Sequence, residues 1–239
     1  MIFLYIMRIL VYGSNGWIGG QFIKLLEESI LNIEFFKGQS RVDNELDLYK
    51  EITDVAPTHI ISFIGRTHGK IGDKVYTTID YLEQEGKLVE NMKDNLFSPL
   101  LLADICSKKN IHYTYLGTGC IFKFDQPLEK VEPNNLNHYS PLENAETHPF
   151  EQEINGFNEN SLPNFYGSSY SIVKGFTDRL MHLYKDSVLN LRIRMPITGE
   201  KNGRNFITKI VNYEKVCSIA NSMTILPELL PYVLEMMQN

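Results

Sequence analysis

Two rhythms of apolar residues alternate along the chain: short dense runs, and longer stretches in which apolar positions recur every three or four residues. Met7-Arg8-Ile9-Leu10-Val11-Tyr12 is a dense run, as expected of a strand covered on both faces. It ends at Gly13, and beyond the glycines Ile18, Phe22, Ile23, Leu25 and Leu26 share one side of a helix. Ile33-Glu34-Phe35-Phe36 predicts a second strand, followed by a polar turn over Lys37 to Asn44 and a helix to about Val55. Pro57 restarts the chain, and Thr58 to Ile64 reads as a third buried strand. Leu88 to Lys109 has helical periodicity interrupted at Pro99, and Ile111 to Leu116 predicts the next strand. A helix over Ser168 to Tyr184, a strand over Val188 to Arg194 and a break at Met195-Pro196 follow. Gly199 to Arg204 reads as loop, and helices are predicted over Phe206 to Tyr213 and Pro227 to Met237. Strands alternating with helices predict an α/β fold built on a Rossmann-like, doubly wound parallel sheet. Such sheets bind ligands at the carboxyl ends of their strands.

Between Asp125 and Asn164 the pattern stops and Pro, Asn, Glu and His dominate, which reads as a loop excursion rather than a subdomain. At 239 residues and 43% hydrophobic, the chain fits one domain. In this reading residues 7–185 form mainly the dinucleotide-binding core and 195–239 mainly a substrate lobe. A net charge of -6 without a long Lys/Arg run argues against nucleic acid or an anionic membrane as partner. Cys106, Cys120 and Cys217 form no CxxC and cannot pair completely, which suits a reduced, cytoplasmic compartment. The six histidines have no metal-ligand spacing, and no metal is expected. The apolar start, Met1 to Ile6, runs into Arg8 and Gly13, too short for a membrane span and without the basic lead of a signal peptide.

The chemistry begins at Gly13-Ser14-Asn15-Gly16-Trp17-Ile18-Gly19. Gly13 permits the tight turn, Gly16 lets backbone approach phosphate and Gly19 lets the helix pack closely with its positive end toward the anion. Gly13, Asn15, Gly16, Trp17, Ile18 and Gly19 are therefore candidate cofactor contacts. After the second strand come Lys37, Gln39, Ser40 and Arg41, where an acid would hold the ribose hydroxyls of NAD. Lys37 and Arg41 could hold a 2'-phosphate instead, which points to NADP(H). Glu34 or Asp43 would restore an NAD reading if the strand register were displaced.

Tyr170 and Lys174, in Tyr-Ser-Ile-Val-Lys, share a helix face at i and i+4. The ammonium could lower the phenol's pKa and also hold the nicotinamide ribose. Gly117-Thr118-Gly119-Cys120 follows the fourth strand, and Thr118 could hydrogen-bond the substrate oxygen opposite Tyr170. Cys120 is either an acid/base beside the carbonyl or a buried small hydrophobe, and spacing leaves the two equal.

These residues carry a resemblance. The chain resembles the extended short-chain dehydrogenase/reductases, and within them the UDP-4-keto-6-deoxyglucose 3,5-epimerase/4-reductases that complete UDP-L-rhamnose synthesis in plants, fungi and some giant viruses. The matching stretches are Tyr12 to Gly20, Pro57 to His59, Leu102 to Cys106, Thr118 to Phe122, Tyr170 to Lys174, Arg192 to Ile197, Arg204 to Lys209 and Asn221 to Leu226. The resemblance implies NADPH as hydride donor and Thr118, Tyr170 and Lys174 as the reductase triad. It also implies that Cys120 and Lys209 exchange protons at C3 and C5 of the sugar. Within the matched stretches, Pro196 joins the expected cofactor set, and Arg204 and Asn205 join Thr118 in the expected substrate set. The expected partner is a nucleotide sugar, with a homodimer allowed.

Gly65-Arg66-Thr67-His68-Gly69-Lys70 replaces a different loop of the plant enzymes. There His68 reads as an exposed loop histidine, with sugar contact the alternative. The chain stops soon after Asn221 to Leu226, where relatives continue, so a small, shortened C-terminal substrate lobe is expected. The rival readings are a plain 4-keto reductase of the dTDP-rhamnose type, which needs neither Cys120 nor Lys209, and a non-catalytic NADP-binding regulatory subunit. A 4,6-dehydratase is disfavoured, because Gly119-Cys120 stands where that group carries Asp-Glu.

Overall fold

The computed structural model describes residues 6–123, 156–216 and 221–238. Most of the expected excursion, together with Cys217, lies outside the described residues. Five parallel strands form the central sheet: β1 (Met7–Tyr12), β2 (Ile33–Lys37), β3 (His59–Ser62), β6 (His112–Thr118) and β7 (Val188–Ile193), in the order β2-β1-β3-β6-β7. The order reverses between β1 and β3, both of which leave the sheet beside the glycine turn. Two small pairs lie apart: β4 (Gly69–Ile71) with β5 (Lys74–Tyr76), antiparallel, and β8 (Pro196–Ile197) with β9 (Thr224–Ile225), parallel.

The dense run of β1 is explained by its two covered faces. Met7, Ile9 and Val11 pack with Phe22, Ile23 and Leu26 of α1 (Trp17–Glu28) and with Leu226, Leu230 and Val233 of α7 (Leu226–Met236). Leu10 and Tyr12 face the opposite layer, with Leu48 and Ile52 of α2 (Glu45–Val55), Leu102 and Cys106 of α4 (Ser98–Lys109), and Met181 of α5 (Ser169–Met181). Side chains alternate along a strand, so continuous hydrophobicity marks burial on both sides.

Two expectations are corrected. Pro99 does not interrupt the helix: α3 (Leu88–Met92) continues through a π-helical turn, Lys93–Phe97, into α4, and Pro99 sits in the first turn of α4, where the Asn95 carbonyl four residues back accepts instead from the Thr177 hydroxyl at 2.6 Å. The Gly65 to Lys70 loop leads into the β4–β5 hairpin, where Gly69 lies flat against the ring of Tyr81, a close approach that only glycine allows. Phe206–Ile210 forms the short α6. The described end of the excursion is pinned to the sheet: Arg192 donates to the carbonyls of Asn158 at 2.9 Å and Ser161 at 3.3 Å, and the amide of Asn164 donates to Ile121 at 3.1 Å.

Candidate active site

The glycine turn has the shape its sequence demands. Gly13 adopts φ 74°, and a Cβ there would lie 3.0 Å from the carbonyl carbon of Phe63. A Cβ on Gly19 would run into the carbonyl oxygen of Gly13, so the first turn of α1 can sit on the loop only without a side chain. Gly16 is the N-cap of α1, with no side-chain cap and no acid in the first turn. Its free amides and positive end face the carboxyl edge of β1, a cradle that fits a pyrophosphate.

The cations after β2 are placed differently from expectation. Arg41 binds Asp43 through both ends of its guanidinium, at 2.9 and 3.1 Å, and Lys37 lies 3.9 Å from Glu27. Both would have to share their charge with a 2'-phosphate. Glu34 is taken by Arg8. Glu51 shapes this turn by accepting from the amides of Gln39 at 2.6 Å and Ser40 at 3.1 Å and from the Tyr12 hydroxyl at 2.9 Å. Burial pushes its carboxyl up, but those hydrogen bonds outweigh it and leave the pKa below the ordinary value.

At the end of β6, Thr118 caps the short turn Gly119–Ile121 by accepting from the Cys120 amide at 3.1 Å. Arg194 ties this turn to the end of β7, donating to the Gly119 carbonyl at 2.8 Å. Ser171 does the same from α5, donating to the Cys120 carbonyl at 2.8 Å. Tyr170 is 5% exposed and packs with Tyr81, Leu82 and Cys120. Burial, then the nearby Cys120, drives its pKa above the ordinary phenol value, while the hydroxyl of Thr118 pulls the other way. The phenol is thus held protonated, as a proton donor must be.

Lys174 departs from its expected engagement. Its ammonium, 4% exposed, donates to the hydroxyl of Tyr115 at 2.9 Å and lies 5.0 Å from the centre of that ring, rather than against Tyr170. Burial lowers its pKa to about 8, with Cys120 opposing. Sequence reading missed Tyr115, because a tyrosine inside a dense strand run looks like core. It also missed Asn95, in the π-helical turn, whose side chain accepts from the Arg66 amide at 3.2 Å and donates to the Arg66 carbonyl at 3.0 Å. The sequence carried no signal for it, because helical spacing continues on both sides of the π-helical turn.

Lys209 stands on α6, half-buried, with its pKa lowered by burial and then by Arg204. Burial also lowers Arg204. No carboxylate among the described residues pairs with either. His68 is half-buried rather than exposed, its pKa lowered by burial and then by Arg204, Arg66 and Lys209, so the loop before β4 and the α6 lobe share one electropositive neighbourhood. Asn205 is fully engaged within the fold. Its oxygen caps α6 by accepting from Ile207 at 3.1 Å, and its nitrogen donates to Thr198 at 2.8 Å and Glu200 at 2.7 Å. Pro196 opens β8 after Met195, whose φ of 42° turns the chain out of the sheet. Among the described residues no group of three or more His, Cys, Asp or Glu could hold a metal, and no helix is long and apolar enough to cross a membrane.

A doubly wound parallel sheet, a glycine cradle at its switch point and a Tyr-x-x-x-Lys helix facing a threonine define a domain of the extended short-chain dehydrogenase/reductase type. No family model matches the chain. It is 52% identical over 233 residues to the uncharacterized protein L780 of Acanthamoeba polyphaga mimivirus, covering 98% of this chain and 71% of that protein. The crystal structure of the L780 UDP-rhamnose synthase matches with a TM-score of 0.82 at 51% identity, over 98% of this chain and 72% of that one. A trifunctional UDP-glucose 4,6-dehydratase/UDP-4-keto-6-deoxy-D-glucose 3,5-epimerase/UDP-4-keto-L-rhamnose-reductase of Arabidopsis thaliana is 36% identical over 231 residues, 96% of this chain. The chain spans 30% of that enzyme's length. A dTDP-4-dehydrorhamnose reductase of Bacillus anthracis in complex with NADP shares the fold, with a TM-score of 0.68 at 15% identity over 98% of this chain and 72% of that one. The chain belongs to the family of the L780 UDP-rhamnose synthase and the plant epimerase/reductases.

Proposed function

We propose that the chain is an NADPH-dependent nucleotide-sugar epimerase/reductase that converts UDP-4-keto-6-deoxyglucose to UDP-L-rhamnose by 3,5-epimerisation and then 4-keto reduction. The observation that carries this reading is the meeting of Thr118, Cys120 and Tyr170 at the end of β6, in a chain half-identical to a UDP-rhamnose synthase. NADPH, when bound, supplies the hydride for C4. The glycine cradle would hold its pyrophosphate, Arg41 and Lys37 its 2'-phosphate, and Lys174 its nicotinamide ribose.

C3 and C5 both flank the ketone, so removing a proton from either gives an enolate. The hydroxyls of Thr118 and Tyr170 stabilise that oxyanion as its charge develops. Cys120 and Lys209 are the proton carriers. Burial and Arg204 lower the pKa of Lys209, which makes its amine a more available base near neutral pH. Tyr170, kept protonated by burial, then delivers its proton to the C4 oxygen as the ketone is reduced. The electropositive surroundings that Arg204 and Lys209 create beside His68 suit the anionic substrate and its enolate. A homodimer in the cytoplasm completes the reading, with exposed Val89, Met92, Phe97 and Phe176 as its apolar face.

The test is incubation with NADPH and UDP-4-keto-6-deoxyglucose in deuterium oxide, with the dTDP-linked sugar in parallel, followed by identification of the product. UDP-L-rhamnose labelled at C3 and C5 is expected. Cys120→Ala should lose deuterium at one of these carbons yet still reduce the ketone, and full labelling with normal rhamnose formation in that variant would make Cys120 a packing residue.

A further inference from the structure

We propose that Glu83 is a positioning residue for Tyr170, setting the phenol's place for ketone reduction, an inference that rests on the reductive half of the proposed function. Glu83 lies 86 residues before the helix it serves. Its carboxylate accepts from the backbone amide of Ser169 at 2.9 Å, from the Ser169 hydroxyl at 3.0 Å and from the backbone amide of Tyr170 at 3.2 Å. These amides belong to the first turn of α5, which has no intrahelical acceptor for them. Ser168 already caps the same helix by accepting from the Ser171 amide at 3.1 Å, so Glu83 is a second cap, supplied from a distant segment and carrying negative charge to the helix's positive end.

The same segment holds the ring of Tyr170. Tyr81 and Leu82, immediately before Glu83, are buried against Tyr170, and the Leu82 carbonyl lies 3.2 Å from the Ser169 hydroxyl. Tyr81 is fixed in turn by Glu90, whose two oxygens each lie 2.9 Å from its hydroxyl. Tyr170 is therefore gripped at its backbone by Glu83 and at its ring by the two preceding residues. The proton carriers of epimerisation rest mainly on other supports. Cys120 sits on the turn capped by Thr118 and tied by Arg194, its one link to α5 being Ser171, and Lys209 sits on the helix capped by Asn205. Misplacing a catalytic donor by about 1 Å is enough to slow a reaction about a hundredfold. Loss of Glu83 should consequently slow reduction, in which Tyr170 gives up its proton, more than exchange, in which it is one of two hydrogen-bond donors.

Glu83→Ala and Glu83→Gln are compared with the wild-type protein for NADPH oxidation, substrate KM, NADPH affinity and solvent deuterium entry at C3 and C5. Glu83→Ala is expected to lower kcat for reduction at least about tenfold, with KM and NADPH affinity within about twofold of wild type, and to lower deuterium entry, for which Tyr170 is only one of two hydrogen-bond donors, by clearly less than reduction. Glu83→Gln, which keeps one acceptor oxygen, should recover part of the loss, and it carries the comparison if the alanine variant does not fold. Equal loss of exchange and reduction, or no loss of either, overturns the proposal. If the wild-type protein oxidises no NADPH, the proposed function fails, and Glu83 is then judged by hydrogen exchange of the Ser169 and Tyr170 amides. Exchange at least about tenfold faster in Glu83→Ala supports the clamp, and unchanged protection overturns it.

Discussion

Replacing Lys174 with methionine should make the protein more stable at neutral pH while removing its ability to hold cofactor. The ammonium is 4% exposed, has no carboxylate partner among the described residues, and has only the Tyr115 hydroxyl as a hydrogen-bond acceptor. Its pKa falls from 10.5 to about 8 because burial disfavours the charged form. At about 1.36 kcal/mol for each factor of ten, the folded state carries roughly 3 kcal/mol of cost for keeping the proton at pH 7. Methionine fills similar volume without charge. Losing the Tyr115 hydrogen bond offsets about 1 kcal/mol, so the variant should gain about 2 kcal/mol, or about 4 to 8 °C in Tm for a chain of this size.

The pH dependence gives the sign. Below pH 8 the lysine is protonated in both folded and unfolded chains, and the burial cost is present in full. Between pH 8 and 10.5 the unfolded chain binds more protons than the folded one, so the stability of the wild-type protein rises with pH in that window. By pH 9.5 it should recover about 2 kcal/mol relative to the variant. Urea unfolding of both proteins at pH 7 and pH 9.5 measures this, because other titrating groups largely cancel in the difference. A variant less stable than wild type at pH 7, or a difference that stays flat from pH 7 to 9.5, would refute the reasoning.

In Gly19→Ala the new Cβ meets the Gly13 carbonyl oxygen, so α1 must move off the loop; a loss of about 2 kcal/mol or more in urea unfolding and NADPH binding weakened more than about tenfold are expected. NADPH should bind at least about tenfold more tightly than NADH, about 1.4 kcal/mol, and Asp43→Asn, by freeing Arg41, should tighten NADPH while leaving NADH unchanged. Fluorescence titration decides this, and equal affinities for the two cofactors would remove the role given to the turn after β2. Tyr170→Phe takes away the proton donor but little volume, so kcat for reduction should collapse with NADPH affinity nearly unchanged; near-normal reduction would sink the assigned mechanism.

The sheet was most legible where a strand is buried on both faces and so writes itself as a dense apolar run, as in β1 and β3; β1 at Met7–Tyr12 and the helix from Trp17 fall where the pattern put them. The glycine turn was legible because its steric demands admit no other residue at Gly19. What escaped were features fixed by contacts between distant segments. The β4–β5 hairpin has three-residue strands, exposed except for Gly69 and Tyr76, too short to show a period. The π-helical turn at Lys93–Phe97 keeps helical spacing on either side, so Pro99 alone suggested a break. Glu83 stands in a polar stretch, and nothing local tells that its carboxylate will meet a helix 86 residues later.

Charge shows most clearly where residue type stops being informative. Arg8, Arg41, Arg66 and Arg192 are each matched by a carboxylate, Glu34, Asp43, Asp94 and Asp178 respectively, and such pairs keep their charge at little cost. Lys174, Arg204 and Lys209 have no such partner among the described residues, and burial lowers the pKa of all three. A partly or wholly buried cation without an anion is expensive. A fold that tolerates such cations carries an electrostatic deficit that an anionic ligand can relieve. On this argument the net charge of -6 says little about ligand preference, because these cations lack an acidic partner among the described residues whatever the total.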